Sequence, residues 1–249
     1  MITDSYDVKT PAIVSPADAY GAQRHVCDIC IVIFSSVIYE SVLNSFKCEK
    51  VAEILACNGN RPIHAFEHGG RKIAFYLSTV GSTAAATDVI EANWLTGATK
   101  FIMFGSAGSL NRSATEGKYV VPTAAYRDDG MSYHYAAPSD YIEIPGAKKV
   151  AEIFDELKAP YTLGKVWTTD AFYRETRGQM EARVREGCLA VEMELAGVQA
   201  VCAFHGFALY DFLQTGDVLD QEEYIYEGLQ EANHSLAKFG LALELAMRV

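Results

Sequence analysis

The sequence predicts an α/β protein with a largely parallel central sheet. Two observations carry that expectation. Short β-branched, apolar runs read as strands, and between them lie segments of ten or more residues with helical periodicity. In chain order, "ICIVIF" (29–34) and "KIAFYLST" (72–79) are strands, followed by a helix in "STAAATDVIEANWLTG" (82–97). Gly81 ends the second strand, and Ser82 or Thr83 is placed to cap that helix. "KFIMFGSAG" (100–108) and "YVVPTAAY" (119–126) are the next strands. The stretch from 109 to 147 is the least regular, with turns at Gly130 and Pro138. Helices follow in "KKVAEIFDELKA" (148–159), "RGQMEARVREG" (177–187) and "ELAGVQAVCAFHG" (194–206). "ALYDFLQTGD" (208–217) is the last strand. A final helix over 222–249 carries the apolar repeat Leu236, Phe239, Leu243 and Met247, which marks a core-facing side.

The 249 residues are near the upper size of a single-core domain, so the expectation is one domain over 1–249. Half the residues are hydrophobic and 21% are charged, the balance of a folded protein. A net charge of −11 argues against a nucleic-acid backbone as partner, but not against a small anion in a local pocket. The longest apolar run, Ile29 to Leu43, is broken by Ser35, Ser36 and Glu40, short of the ~18 residues a membrane span needs. The polar, acidic N-terminus is unlike a secretory signal, which makes a cytoplasmic protein the expectation. Six cysteines in a chain of this length are not a disulfide framework. Cys27 and Cys30 form a C-x-x-C, but no second pair has zinc spacing, and Cys30 leads into a strand, so packing is the expected role.

The stretch "LAVEMELAGVQAVCAF" (189–204) sets Glu192 and Glu194 among apolar residues. A buried, unpartnered carboxylate is costly. Glu194, near a helix start, can accept two hydrogen bonds from a vicinal diol such as the 2′- and 3′-hydroxyls of a ribose. Glu192, on the opposite side of the chain, is expected to be structural. "FGSAGSL" (104–110) follows a strand with glycines at 105 and 108 around Ser106, where free amides can hold an anion. With Gly81 it gives two glycine-bearing strand ends, the expected edge of a ligand crevice. "WTTDAFYRET" (167–176) sets Phe172 and Tyr173 beside Asp170 and Arg174, and an aromatic there offers a face to a planar ligand, although core packing is the ordinary alternative. In "LQTGDVLD" (213–220), Asp217 ends a strand and can serve as a general acid if burial raises its pKa. The ordinary alternative is a helix N-cap, which Asp220 could also fill.

Together these stretches resemble the nucleoside phosphorylase family, which includes purine nucleoside and uridine phosphorylases. "VEMELAG" (191–197) is similar to that family's V-E-M-E-A-A-G, and "FGSAGSL" to its V-G-T-A-G-S-L. "TTDAFYRET" and "GMSYHY" (130–135) also match, in the same order, from about residue 29 to the C-terminus. The resemblance implies a three-layer α/β/α sandwich around a mixed, partly barrel-like sheet. It implies cleavage of an N-glycosidic bond by phosphate attack at C1′. Met193 and Glu194 would bind ribose, Phe172 would stack near base or sugar, and Asp217 would protonate a purine's N7; Gly81 is expected at the substrate from its place at a strand end, not from the resemblance. Ser106 would touch phosphate. The resemblance implies no metal or organic cofactor, inorganic phosphate being a co-substrate. It also implies a homo-oligomer, dimers assembled into trimers or hexamers.

The departures lie at the phosphate. Where the family reads M-P-G-D-P-x-R, this chain reads "IVIFSSVIYES" (31–41), with Phe34 at the glycine and Ile38 at the arginine. Met103 stands where the family has a second arginine before G-S. Arg61, in "GNRPIH", could reach in from a neighbouring subunit. The uracil-reading Q-x-R after Phe172 is missing, and no arginine precedes Arg248 in the final helix to pair with Asp217. Three readings follow: a phosphorylase with an altered phosphate site, a nucleosidase using water, or a non-catalytic nucleoside binder. Family hydrolases activate water with an N-terminal glutamate, for which Glu40 is nearest but a turn too far along. A dinucleotide-binding dehydrogenase is disfavoured, since no strand is followed by G-x-G-x-x-G.

Overall fold

The computed structural model describes residues 1–221 and 223–249. Its strands are β1 (Ile29–Ile33), β2 (Glu49–Ile54), β3 (Arg61–His68), β4 (Arg71–Leu77), β5 (Lys100–Ser109), β6 (Tyr119–Asp128), β7 (Tyr141–Glu143), β8 (Tyr161–Thr169), β9 (Cys188–Glu192) and β10 (Ala208–Val218). Its α-helices are α1 (Pro16–Tyr20), α2 (Ser36–Ser45), α3 (Ser82–Thr96), α4 (Arg112–Thr115), α5 (Ser132–Tyr135), α6 (Ala147–Leu157), α7 (Arg177–Arg185), α8 (Leu195–His205), α9 (Leu229–His234) and α10 (Leu236–Arg248).

β1 runs parallel to both its neighbours, β4 and β5. All five of its residues are buried, which is why it reads as an unbroken apolar run. Alternation along the strands divides the core in two. Cys30, Val32, Ala74, Phe101 and Met103 face α3 and α8 through Ala85, Val89, Val198 and Val201. Ile31, Ile33, Phe75, Ile102 and Phe104 face α2, α6 and α10 through Ile38, Phe154, Phe239 and Leu245. The result is a three-layer α/β/α sandwich.

The sheet is mixed rather than largely parallel. β3 pairs antiparallel with β4, and β2 with β3, extending the open end. At the other end the sheet closes on itself. β5 pairs with both β10 and β9, and β10–β6–β8–β9 complete a five-stranded barrel. β5 belongs to both halves, and the glycine-serine stretch 105–109 forms its last residues, paired with β10 and β9 rather than turning.

The predicted final helix is two helices. Ser235 is extended (ψ 111°) between α9 and α10, and residue 222, the first of the predicted span, lies outside the described residues. The apolar stripe is also shifted: Phe239 is buried with Ala242, Leu245 and Ala246, whereas Leu236 is 53% exposed. Cys30 lies within β1, and burial pushes the Cys27 and Cys30 thiols up, away from the reactive thiolate. All six cysteines are free. No helix among the described residues is long and apolar enough to cross a membrane.

Candidate active site

The two glutamates of "VEMELAG" do different work. β9 ends at Glu192 and α8 begins at Leu195. Glu192 Oε2 accepts from the amides of Glu194 and Leu195, both at 2.7 Å, and its Oε1 accepts from the Thr168 hydroxyl. It thereby satisfies donors that the first turn of α8 leaves without partners. Thr168 Oγ1 in turn accepts from the Ala196 amide at 3.0 Å. Glu192 is the structural acid, as expected.

Glu194 points the other way. Its Oε1 accepts from the Gly81 amide at 2.7 Å. Gly81 sits at the N-cap of α3 with φ 110°, a backbone conformation that side-chain-bearing residues rarely adopt. Its amide is engaged by Glu194, so Gly81 orients that carboxylate. The helix begins at Ser82, whose hydroxyl donates to Asp129 at 2.7 Å instead of capping. Burial, together with the charge of Glu194 beside Glu192 and of Asp170 beside Glu194, raises both glutamates above the ordinary carboxylate range.

Two cavities meet at this corner. One, of ≈ 200 Å³, is lined by Phe34, Ser35, Ile38, His234 and Lys238. The other, of ≈ 120 Å³, is lined by Phe172, Glu175, Met193, Asp217 and Leu229. Ser106 and Glu194 line both. A wider apolar opening of ≈ 340 Å³, with Tyr224 and Leu219 in its wall, adjoins the second cavity through Phe172 and Glu175.

Asp217 is aimed by a bulge. The register of β10 on β5 shifts between Thr215 and Asp217, so Gly216 is the extra residue. Gly216 packs against the turn before α9, where an added Cβ would lie 2.9 Å from Leu229 Cα. Asp217 is 4% exposed, Tyr224 donates to its Oδ2 at 2.9 Å, and burial raises its pKa. No helix follows directly, so the N-cap alternative is excluded; Asp220 accepts from the Arg112 amide at 2.8 Å, at the start of α4. Burial and the nearby Asp217 charge push Glu175 up to about 7.

The structure therefore brings Glu194, Met193, Phe172, Asp217 and Ser106 together. It leaves out Arg61. In its own chain that guanidinium pairs with the buried Asp88 of α3. Phe34 and Ile38 do line the first cavity, but Met103 is 2% exposed and packs in the core. Sequence reasoning missed Glu175, Ser35, Asn233, His234 and Lys238. Ser106 donates to Asn233 Oδ1, and Ser35 Oγ lies 2.8 Å from His234 Nδ1. Lys238 is 1% exposed, donates to the Ala232 carbonyl and is pushed down to about 8 by burial. The one available signal was a lysine adjoining Phe239 on a helix otherwise rich in apolar residues.

The family model for the phosphorylase superfamily matches residues 28–243. The chain belongs to the phosphorylase superfamily. It is 26% identical over 199 residues to the DeoD-type purine nucleoside phosphorylase of Colwellia psychrerythraea, covering 75% of this chain and 81% of that protein. The corresponding Bacillus subtilis protein is 25% identical over 203 residues, covering 79% and 87%. The futalosine hydrolase of Helicobacter pylori, solved as a mutant, has a similar fold, with a TM-score of 0.72 at 19% identity, covering 90% of this chain and all of that one. The relatives similar in sequence are thus purine nucleoside phosphorylases, whereas the likeness to the hydrolase is one of fold.

Proposed function

We propose that the protein cleaves the N-glycosidic bond of a nucleoside by phosphorolysis, giving free base and pentose 1-phosphate. The observation that carries this reading is that Glu194 and Ser106 form the wall common to two cavities. A pentose held there by its diol presents C1′ between the two. The base extends towards Phe172 and Asp217, and phosphate approaches from the Ser106 side.

In the reaction the C1′–N bond breaks with its electron pair going to the base. Asp217, whose pKa burial raises, delivers a proton to the base. The bond to Tyr224 occupies Oδ2, leaving Oδ1 for the base. A phosphate oxygen closes on C1′. The Glu194 carboxylate grips the diol and offers negative charge close to the oxocarbenium-like ribosyl, and Met193 packs against the sugar. By likeness to the family, the reading includes a cytoplasmic homo-oligomer.

Water in place of phosphate is the second reading. The apolar Phe34 and Ile38 in the cavity lining favour it, as does the fold shared with a hydrolase. Free-base release from purine and pyrimidine nucleosides, with and without inorganic phosphate, separates the two. Release that requires phosphate supports phosphorolysis; equal release in its absence makes the enzyme a nucleosidase.

A further inference from the structure

The cavity beside Ser106 lacks the two arginines of the family pattern, yet it is not apolar throughout. Lys238 reaches it from the first turn of α10. The side chain is 1% exposed, and among the described residues it forms no ion pair. Its contacts are the Ala232 carbonyl and, at 6.0 Å, the face of Phe104. A buried ammonium with no counter-ion is costly. Replacing it by an apolar side chain of similar length would stabilise the fold, so its presence calls for an anion that arrives later.

Apart from the Glu194 carboxylate, which the Gly81 amide engages, the polar lining suits an anion. Hydroxyls of Ser35 and Ser106 and the His234 ring line the same cavity. Ser35 is also the N-cap of the ten-residue α2, so the positive end of that helix opens here. Ser35 comes from the end of β1, Ser106 from β5, and His234 and Lys238 from the break between α9 and α10. The clamp between Gly216 and the turn before α9 ties that break to the strand bearing Asp217.

We propose that Lys238 supplies the positive charge for the phosphate co-substrate, with Ser35, Ser106 and His234 as its hydrogen-bonding companions. The anion is then held from the C-terminal helix pair instead of by arginines at the strand ends. This rests on the phosphorolytic reading above and assigns the residues that make it workable without Arg61, Ile38 or Met103.

The test is initial-rate kinetics against inorganic phosphate for the wild type, Lys238→Met and Lys238→Gln, with melting temperatures measured with and without phosphate. Lys238→Met is expected to raise KM for phosphate roughly 10- to 100-fold, the size of a lost charge-assisted hydrogen bond. KM for nucleoside should not change, and the melting temperature without phosphate should stay level or rise. Phosphate should stabilise both variants only at correspondingly higher concentrations than the wild type. Lys238→Gln retains a donor for the Ala232 carbonyl and loses only the charge, so it separates charge from packing. A wild-type KM for phosphate in both variants overturns the proposal and leaves phosphorolysis standing. A parallel loss of nucleoside and phosphate binding with a lowered melting temperature overturns it in favour of a structural lysine. Wild-type turnover that ignores phosphate, with no thermal shift on adding it, removes the phosphorolytic reading along with it.

Discussion

The Gly81 amide donates to Oε1 of Glu194 at 2.7 Å, joining the N-terminus of α3 to that of α8. Residues 113 positions apart in the chain thus orient one carboxylate. The same glutamate lines both cavities. In the proposed function this oriented acid holds the sugar.

Glu194→Gln keeps the side-chain shape and replaces one acceptor oxygen by a donor. Two charge-assisted hydrogen bonds to the sugar are weakened or lost, so kcat/KM for a ribonucleoside should fall by about 100-fold or more. The fold should survive, because a buried charge next to Glu192 is removed. Steady-state kinetics with a thermal melt check both halves.

Nucleoside binding should release protons near neutral pH. The empty Glu192–Glu194 pair holds protons above the ordinary carboxylate range. Hydroxyl donors from the sugar favour the anion and lower that pKa. Calorimetric titrations in two buffers of different ionisation enthalpy should give different binding enthalpies, with the sign of proton release. Identical enthalpies would mean the pair is already fully ionised.

Glu192→Ala should destabilise the protein by about 2–4 kcal/mol, since it strands two amides and a threonine hydroxyl at the start of α8. Chemical denaturation measures this. A cost near zero would show that water replaces the carboxylate there.

Glu175 predicts a pH dependence of stability with a definite sign. Its folded pKa is pushed to about 7 from an ordinary 4.5. Between those values the unfolded chain has lost a proton that the folded chain still holds. Stability contributed by this group therefore falls as pH rises through that window, and the loss is complete above it. The difference in melting temperature between the wild type and Glu175→Gln should widen in the variant's favour from acid to neutral pH.

Asp217→Asn should lower kcat far more than KM, because the amide keeps a contact to the base but has no acidic proton to give. Tyr224→Phe should weaken activity less, since it removes only the bond that orients Oδ2.

The parts of the fold readable in advance were those whose sequence has one environment. β1 is buried on both faces and announces itself. β2 and β3 were missed because "EKVAEI" and "RPIHAFEH" mix charges into partly exposed strands. β8 was missed because Gly164 and Lys165 interrupt its apolar run. The residues proposed for ribose and base stood in local motifs, and the structure gathers them around one cavity. The anion-facing residues were not. No glycine or proline marks the break at Ser235, and a helical lysine ordinarily faces solvent, so nothing local says that Lys238 turns inward. The pairing of Arg61 was not legible for the opposite reason: its partner Asp88 lies 27 positions away on another element.

The central claim is that the two cavities joined at Glu194 and Ser106 hold a nucleoside and a phosphate for direct reaction. Phosphorus NMR of the products, with a cleaved nucleoside and orthophosphate, tests it most directly. A new pentose 1-phosphate resonance growing in step with free base is the predicted result. Free base accumulating with unesterified pentose and an unchanged orthophosphate signal would contradict it.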